Sequence, residues 1–125
     1  MSKKAIETAI RQLPELTDFG VGTYNEKRLA PEVRKQNFEK DRAALLESLE
    51  GFEKACHWLS RQKKIKSINT KHSSYGLKHI AEKEVGYITN GVFIAAAIHC
   101  GFTVKTYPGD PNVSINISEK SLKVK

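Results

Sequence analysis

Apolar residues recur at helical spacing along much of the chain, and they are densest between residues 73 and 102. The first part of this segment places Leu77 and Ala81 on one face of a helix, with polar residues at most of the remaining positions. Ser73 or Ser74 stands directly before this helix, where a hydroxyl can accept a hydrogen bond from a free backbone N–H. The segment is therefore predicted to begin with a capped amphipathic helix.

The second part of the segment is apolar at every position from 92 to 98. Because a helix without a polar face is typical of a protein core, this part is predicted to form a buried helix. Gly86 suits the end of the preceding helix, and Thr89 or Asn90 can cap the buried one. The pattern thus predicts that the chain is organised around two helices joined by a short turn.

Two more helices are predicted upstream, with a loop between them. The first is short and ends near Pro14, and its apolar residues recur three or four positions apart: Ile6, Ala9, Ile10 and Leu13. The second begins at Pro31, a favourable first helical residue, and is expected to run without interruption to Gln62. It carries a heptad seam made of two sets of residues: Phe38, Leu45, Phe52 and Leu59, and between them Arg42, Leu49 and Cys56.

The heptad seam admits two arrangements. It can pack on the rest of the same chain, or it can pair with a second copy, which would give a homodimer through residues 38–59. Leu46, Ala55 and Trp58 widen the apolar stripe beyond two positions in each heptad. A stripe of that width favours packing within one chain.

The C-terminal part alternates apolar and polar residues on both sides of Pro108-Gly109-Asp110-Pro111, which predicts a β-hairpin. Residues 119–125 are mostly polar and are predicted to form a frayed tail. The order helix, turn, helix, hairpin is that of a winged helix-turn-helix. The predicted fold class is α+β and mostly helical, with an N-terminal helix and a long helix packed on this winged-helix-like unit.

A length of 125 residues with 39% hydrophobic content fits a single domain over 1–125. Within it, we expect a helical part (1–62), a basic helix-turn-helix-hairpin part (63–118) and the tail. No apolar run reaches the length of a membrane span, and the N-terminus lacks the apolar region of a secretory signal. Cys56 and Cys100 form no close pair, so both are predicted to be small buried hydrophobes in a reducing environment. The expected location is the cytoplasm.

Charge points to a polyanionic partner. Lys and Arg together number 21 against 14 acidic residues, a formal net charge of +7. The positive charge is most concentrated between residues 61 and 79, where no acidic residue occurs. Such a basic cluster is typical of nucleic-acid-binding proteins, although a solubilising surface charge is the simpler interpretation.

Two helix starts add backbone N–H groups and polar side chains beside the basic cluster, an arrangement suited to phosphate. Readout of base edges is not expected, since the second helix offers few side chains that could form such contacts. The predicted nucleic-acid-binding residues are Arg61, Lys63, Lys64, Lys66, Lys71, Ser73, Ser74, Lys78, Thr89 and Asn90.

Catalysis is not expected, because no nucleophile or phosphate-loop motif occurs and Glu82 and Glu84 adjoin lysines, as solvated charges do. Metals and cofactors are not expected either. The spacing of the histidines and cysteines matches no zinc ligand pattern. The histidines are His57, His72, His79 and His99.

The stretch KSINTKHSSYGLKHIAEKEVGYITNGVFIAAAIHCGF, with PNVSINIS further on, resembles a family of small uncharacterised proteins encoded on bacterial plasmids, phages and integrated elements. The likeness covers about residues 66–118 and implies a mobile-element setting, in which small accessory proteins bind DNA or disable host defence. It assigns no catalytic residue.

The sequence therefore predicts a non-catalytic nucleic-acid-binding protein, an accessory or regulatory protein of a bacterial mobile element, with DNA as the expected nucleic acid. The alternative is a protein-interaction antagonist of a host defence system, of the anti-CRISPR or anti-restriction type. In that case the basic surface would contact an acidic host protein.

Overall fold

The computed structural model describes residues 2–24 and 26–123, with the backbone alone for Ser2 and Lys123. The helices are α1 (Ser2–Gln12), α2 (Pro31–Glu47), α3 (Leu49–Ser60), α4 (Ser74–Val85), α5 (Asn90–His99) and α6 (Glu119–Lys123). The strands are β1 (Leu16–Thr17), β2 (Gly20–Val21), β3 (Lys64–Asn69), β4 (Val104–Thr106) and β5 (Val113–Ile117). A 3-10 turn spans Glu26–Arg28. The α+β, mostly helical class is confirmed.

Helix α5 lies at the centre of the fold. Every residue from Asn90 to Ala97 is buried, as the absence of a polar face predicts. It contacts α1, α3 and α4 on its sides, and its N-terminal end meets β1 and β2. The Thr89 hydroxyl accepts a hydrogen bond from the backbone N–H of Val92 at 3.1 Å, so the predicted cap is confirmed. The remaining elements thus enclose one apolar helix.

The prediction of one continuous helix from Pro31 to Gln62 is wrong, because the chain bends at Ser48 and divides the segment into α2 and α3. The Ser48 hydroxyl donates a 2.7 Å hydrogen bond to the carbonyl of Ala44, and its backbone N–H binds the carbonyl of Leu45. After the bend, α3 directs Phe52, Ala55, Trp58 and Leu59 into the core.

The heptad seam is mostly used within the chain. Leu45, Phe52 and Leu59 are buried in the core, which confirms packing inside one chain. A homodimer through residues 38–59 stays a prediction. Leu49 is 38% exposed, because the bend at Ser48 rotates it out of the seam.

Strands β3, β5 and β4 form an antiparallel sheet in that order, with β5 in the middle. The predicted hairpin is confirmed, since β4 pairs with β5 in a register that joins Val104 to Ile115 and Thr106 to Val113. All five residues of β5 are buried. Strand β3 is an edge strand among the residues that the structure describes.

The order helix, turn, helix, hairpin is also confirmed, with Ser73 as the cap of α4 and Gly86 as its end, at a φ of +87°. The winged-helix likeness stays a prediction. Because α5 is buried at eight of its ten positions, it cannot enter a DNA groove as the reading helix of that motif does.

Two further predictions need correction. The frayed tail is wrong for Glu119–Lys123, which form α6, whereas Val124 and Lys125 lie outside the described residues. Cys56 and Cys100 are free thiols, but they are half-buried rather than buried. None of the helices in the described part of the chain is long and apolar enough to cross a membrane.

Candidate functional site

Four lysines lie along or beside the edge strand β3: Lys63, Lys64, Lys66 and Lys71. We call them the basic strand surface. All four are exposed, and within residues 2–24 and 26–123 none forms an ion pair. The Lys64 ammonium lies 4.8 Å from the ring centre of Phe102, and the lysine is nevertheless exposed. The basic strand surface is therefore free to contact an external anion.

One carboxylate lies near the end of this surface. Glu119 accepts hydrogen bonds from Asn69 Nδ2 at 3.1 Å and from His72 Nε2 at 2.9 Å. These two hydrogen bonds, together with the charges of His72 and Lys71, hold the pKa of Glu119 below its usual value. Lys71 therefore has a negative neighbour, and Lys63, Lys64 and Lys66 are the better-placed cations.

Two predicted cations are already paired. Lys78 was expected on the polar face of α4, yet it is only 5% exposed, and its ammonium lies 3.1 Å from a carboxylate oxygen of Glu82. Arg61 is exposed but forms a 2.9 Å ion pair with Glu84. The structure therefore separates Lys78 from the basic strand surface and leaves Arg61 with part of its charge balanced.

The hydroxyl groups at the two helix starts already form hydrogen bonds within the protein. The Ser73 hydroxyl accepts from the Gly76 N–H, and the buried Ser74 hydroxyl accepts from the Val113 N–H at 3.0 Å. At α5, the Thr89 hydroxyl donates a 2.7 Å hydrogen bond to the carboxylate of Asp18. A carboxylate at this helix start repels phosphate, so Ser74, Thr89 and the buried Asn90 do not extend the basic strand surface.

A larger site lies on another part of the molecule and was not predicted. It is a cavity of about 750 Å³, which we call the tyrosine pocket. Three tyrosines at its edge are unusually exposed: Tyr24 at 67%, Tyr75 at 50% and Tyr87 at 76%. The residues lining it are Asp18, Phe19, Tyr24, Asp41, Tyr75, Lys78, His79, Glu82, Tyr87, Thr89, Asn90, Pro111 and Asn112.

Helix α4 supplies one wall of the tyrosine pocket with residues at helical spacing. Tyr75, Lys78, His79 and Glu82 follow the i, i+3, i+4, i+7 pattern of one helix face. Glu82 accepts from the ammonium of Lys78, from a ring nitrogen of His79 at 2.8 Å and from the Ile88 N–H. Burial acts to raise the pKa of Glu82, but these hydrogen bonds outweigh it and lower the pKa.

The opposite side of the tyrosine pocket comes from distant segments. Asn90 Nδ2 donates to the carbonyls of Phe19 and Pro111 and to the side-chain oxygen of Asn112. This amide therefore joins the turn between β1 and β2, the N-terminal end of α5 and the hairpin loop. On α2, partial burial and the nearby charge of Asp18 raise the pKa of Asp41.

The α4 spacing was a signal that could have revealed part of this pocket, because Tyr75, Lys78 and Glu82 share a helix face in the sequence itself. Its other residues are brought together only by the fold. No cluster of three or more His, Cys, Asp or Glu that could hold a metal occurs among residues 2–24 and 26–123. No family model, curated protein or solved structure matches this chain.

Proposed function

We propose that the protein binds nucleic acid without catalysis, with duplex DNA as the expected form, through the basic strand surface. The observation that carries this proposal is the exposure of Lys63, Lys64 and Lys66 with no ion pair to a described carboxylate. Cations that are not neutralised within the protein can release the counterions of a phosphate backbone, which is the main source of sequence-independent affinity.

The length of β3 is compatible with several contacts. Six extended residues span about 20 Å. Along one DNA strand a phosphate recurs about every 3.4 Å of helix axis. A segment of DNA beside β3 would thus present about six phosphates, enough for three or four lysines without bending the duplex.

These contacts would give affinity with little sequence preference, because lysine binds phosphate as a point charge and reads no base edge. The buried helix α5 supports the same mode of binding, since the second helix of the helix-turn-helix unit is not free to read a groove. The resemblance over residues 66–118 implies a mobile-element setting, in which the protein would act as an accessory or regulatory DNA-binding protein.

Fluorescence anisotropy with a labelled duplex and its single strand tests the proposal. The triple variant Lys63→Ala, Lys64→Ala, Lys66→Ala should lose most of the affinity at low salt. A control triple variant, Lys3→Ala, Lys4→Ala, Lys35→Ala, removes the same net charge from exposed positions on α1 and α2. If both variants lose equal affinity, binding reflects net charge alone and the assignment to β3 is refuted.

The lysines of β3 also have a purely structural explanation, since charged residues on an edge strand prevent pairing with another sheet. The two explanations differ in their consequences. If the lysines only prevent pairing with another sheet, the wild-type protein should not bind nucleic acid at low salt. The triple variant should then aggregate.

A second candidate function, binding to an acidic host protein as a defence antagonist, is favoured by one feature of the same strand. β3 has an open edge in the described structure, and Ile65, between two lysines, is 40% exposed. An edge strand of this kind can accept a strand from a partner. Replacement of Ile65 by Thr would weaken that contact and leave phosphate binding unchanged, so the variant separates the two functions.

A further inference from the structure

The tyrosine pocket contains hydrogen-bond acceptors that lack donors. Asn90 is 6% exposed, and its side-chain oxygen has no hydrogen-bond partner in the described part of the protein, although its Nδ2 has three. The carboxylate of Asp41 likewise receives no hydrogen bond from residues 2–24 or 26–123. Unsatisfied acceptors favour a ligand that donates hydrogen bonds.

The charge of the pocket favours a cation. Asp18, Asp41 and Glu82 line it, whereas Lys78 is its single lysine or arginine among the described lining residues. Carboxylates therefore outnumber lysine and arginine side chains in this lining, in a chain whose net charge is +7. A phosphate or carboxylate ligand would be repelled here, unlike at the basic strand surface.

The aromatic rings of the pocket favour the same ligand. The faces of aromatic rings attract cations, and this pocket already holds one in that way. The Lys78 ammonium lies 4.9 Å from the ring centre of Tyr75 and 5.2 Å from that of Tyr87. The rings of Tyr24 and Phe19 are nearly perpendicular, with 5.9 Å between ring centres, and Tyr24 is 67% exposed. Its ring is thus available to a second cation.

We propose that the tyrosine pocket binds an organic cation that carries a guanidinium or primary ammonium group. Asp41 and Asn90 accept its hydrogens, and Tyr24 covers its carbon chain. A volume of about 750 Å³ lies in the range of small-molecule sites, about 300–1,000 Å³. The site is independent of nucleic-acid binding, since it shares no residue with the basic strand surface.

The variant Asp41→Asn should remove the proposed cation partner without destabilising the fold. Burial and the charge of Asp18 both raise the pKa of Asp41, so its negative charge is less favourable in the folded protein than in the unfolded chain. Replacement by Asn removes that charge, and the melting temperature should stay the same or increase. A loss of binding in this variant therefore cannot be explained by unfolding.

Isothermal titration with agmatine, which carries both a guanidinium and an ammonium group, tests the proposal, with uncharged butylurea as the control ligand. Agmatine should bind saturably and butylurea should not. Asp41→Asn should weaken agmatine binding by about tenfold or more, the effect of one charge-assisted hydrogen bond. The matched control Glu39→Gln removes one exposed negative charge from the same helix and should change the affinity less than about twofold.

A second pair of variants tests the aromatic contact. Tyr24→Ala should weaken agmatine binding, whereas Tyr24→Phe keeps the ring and should retain it. A short peptide with one central arginine, compared with free spermidine, then identifies the source of the cation. Tighter binding of the peptide indicates the arginine of a partner protein, and tighter binding of spermidine indicates a free polyamine; both support the cation site.

Three results would overturn the proposed cation site. The first is no saturable binding of agmatine, spermidine or the arginine peptide up to about 10 mM, above even a weak Kd of about 1 mM. The second is equal binding of agmatine by wild type and Asp41→Asn. The third is equal binding of agmatine and butylurea, since the site would then not select charge.

Discussion

A methyl group added at Gly91 would collide with the backbone of β1. The Cβ of an alanine there would lie 1.8 Å from the carbonyl oxygen of Thr17 and 2.7 Å from the Cα of Asp18. Neither atom belongs to a flexible side chain that could rotate away. The variant Gly91→Ala must therefore move the N-terminal end of α5 away from β1.

The cost can be worked out from the contacts that this movement breaks. Overpacking costs about 1–3 kcal/mol in a core that can adjust. Two hydrogen bonds cross the same contact, from the Gly91 N–H to the Asp18 carbonyl at 3.1 Å and from the Thr89 hydroxyl to the Asp18 carboxylate at 2.7 Å. Their loss adds about 1 kcal/mol each. We expect a total loss of about 3–5 kcal/mol in the free energy of unfolding.

Gly51→Ala is the matched control, because Gly51 also lies in a helix. A Cβ there would meet Val92 Cγ1 at 3.6 Å and Ile88 Cγ2 at 3.9 Å, which are ordinary van der Waals distances. Alanine is favoured over glycine within a helix, so this variant should be more stable by about 0.5–1 kcal/mol.

Thermal and urea unfolding followed by circular dichroism measure both changes. For a chain of this length, 1 kcal/mol corresponds to about 3–6 °C in Tm. Gly91→Ala should therefore lower Tm by about 9–30 °C, and Gly51→Ala should raise it by a few degrees. If Gly91→Ala melts within about 2 °C of wild type, α5 does not pack on β1 as described.

Two further predictions concern buried polarity and pH. Ser74→Ala should lower the free energy of unfolding by about 1–3 kcal/mol, because the buried N–H of Val113 loses its acceptor. The control Ser67→Ala, at an exposed position, should change it by less than about 0.5 kcal/mol. Equal effects of the two variants in urea unfolding would contradict this prediction. The pKa of Glu119, followed by carbon NMR, should lie below 4.5 and return towards that value in His72→Ala. Because folding lowers this pKa, the ionised Glu119 stabilises the folded protein above pH 4.5, and this contribution disappears as the pH falls through the folded-state pKa. An unchanged pKa of Glu119 in His72→Ala would contradict the described ion pair.

The parts of the fold that were predicted correctly are those that local chemistry determines. The caps at Ser73 and Thr89 and the end of α4 at Gly86 follow from backbone hydrogen bonding and from the freedom of glycine. The burial of α5 follows from its composition, and the hairpin from alternation around a turn sequence. Each of these signals lies within a few residues of the feature it predicts.

The errors arose where distant residues decide the local structure. The heptad pattern continues through Ser48 without a proline or glycine at that position, so the bend was not visible in the sequence. The Ser48 hydroxyl also lies 3.4 Å from a carboxylate oxygen of Asp18, a contact that only the fold creates. Lys78 was expected at the surface because its helix position looked polar, but Glu82 neutralises it and Tyr87 helps to cover it.

The tyrosine pocket was missed for the same reason, because residues distant in the sequence form most of it. Its α4 wall could have been found from helical spacing, but Asp18, Asp41 and Pro111 lie far from that wall in sequence. The basic strand surface, in contrast, was visible as a cluster of charge. The structure reduces the predicted set by showing that Ser74, Lys78 and Asn90 are buried.

The dependence of duplex affinity on salt tests the central claim most directly. Each phosphate contact by a cation contributes about 0.9 to the slope of log affinity against log salt concentration. If Lys63, Lys64 and Lys66 each contact a phosphate, their replacement by alanine should reduce the slope by about 2.7, measured between about 50 and 200 mM salt. The melting temperature should stay nearly unchanged, since exposed lysines contribute little to stability. An identical slope in wild type and variant, or no binding of wild type at the lowest salt, would contradict nucleic-acid binding through β3.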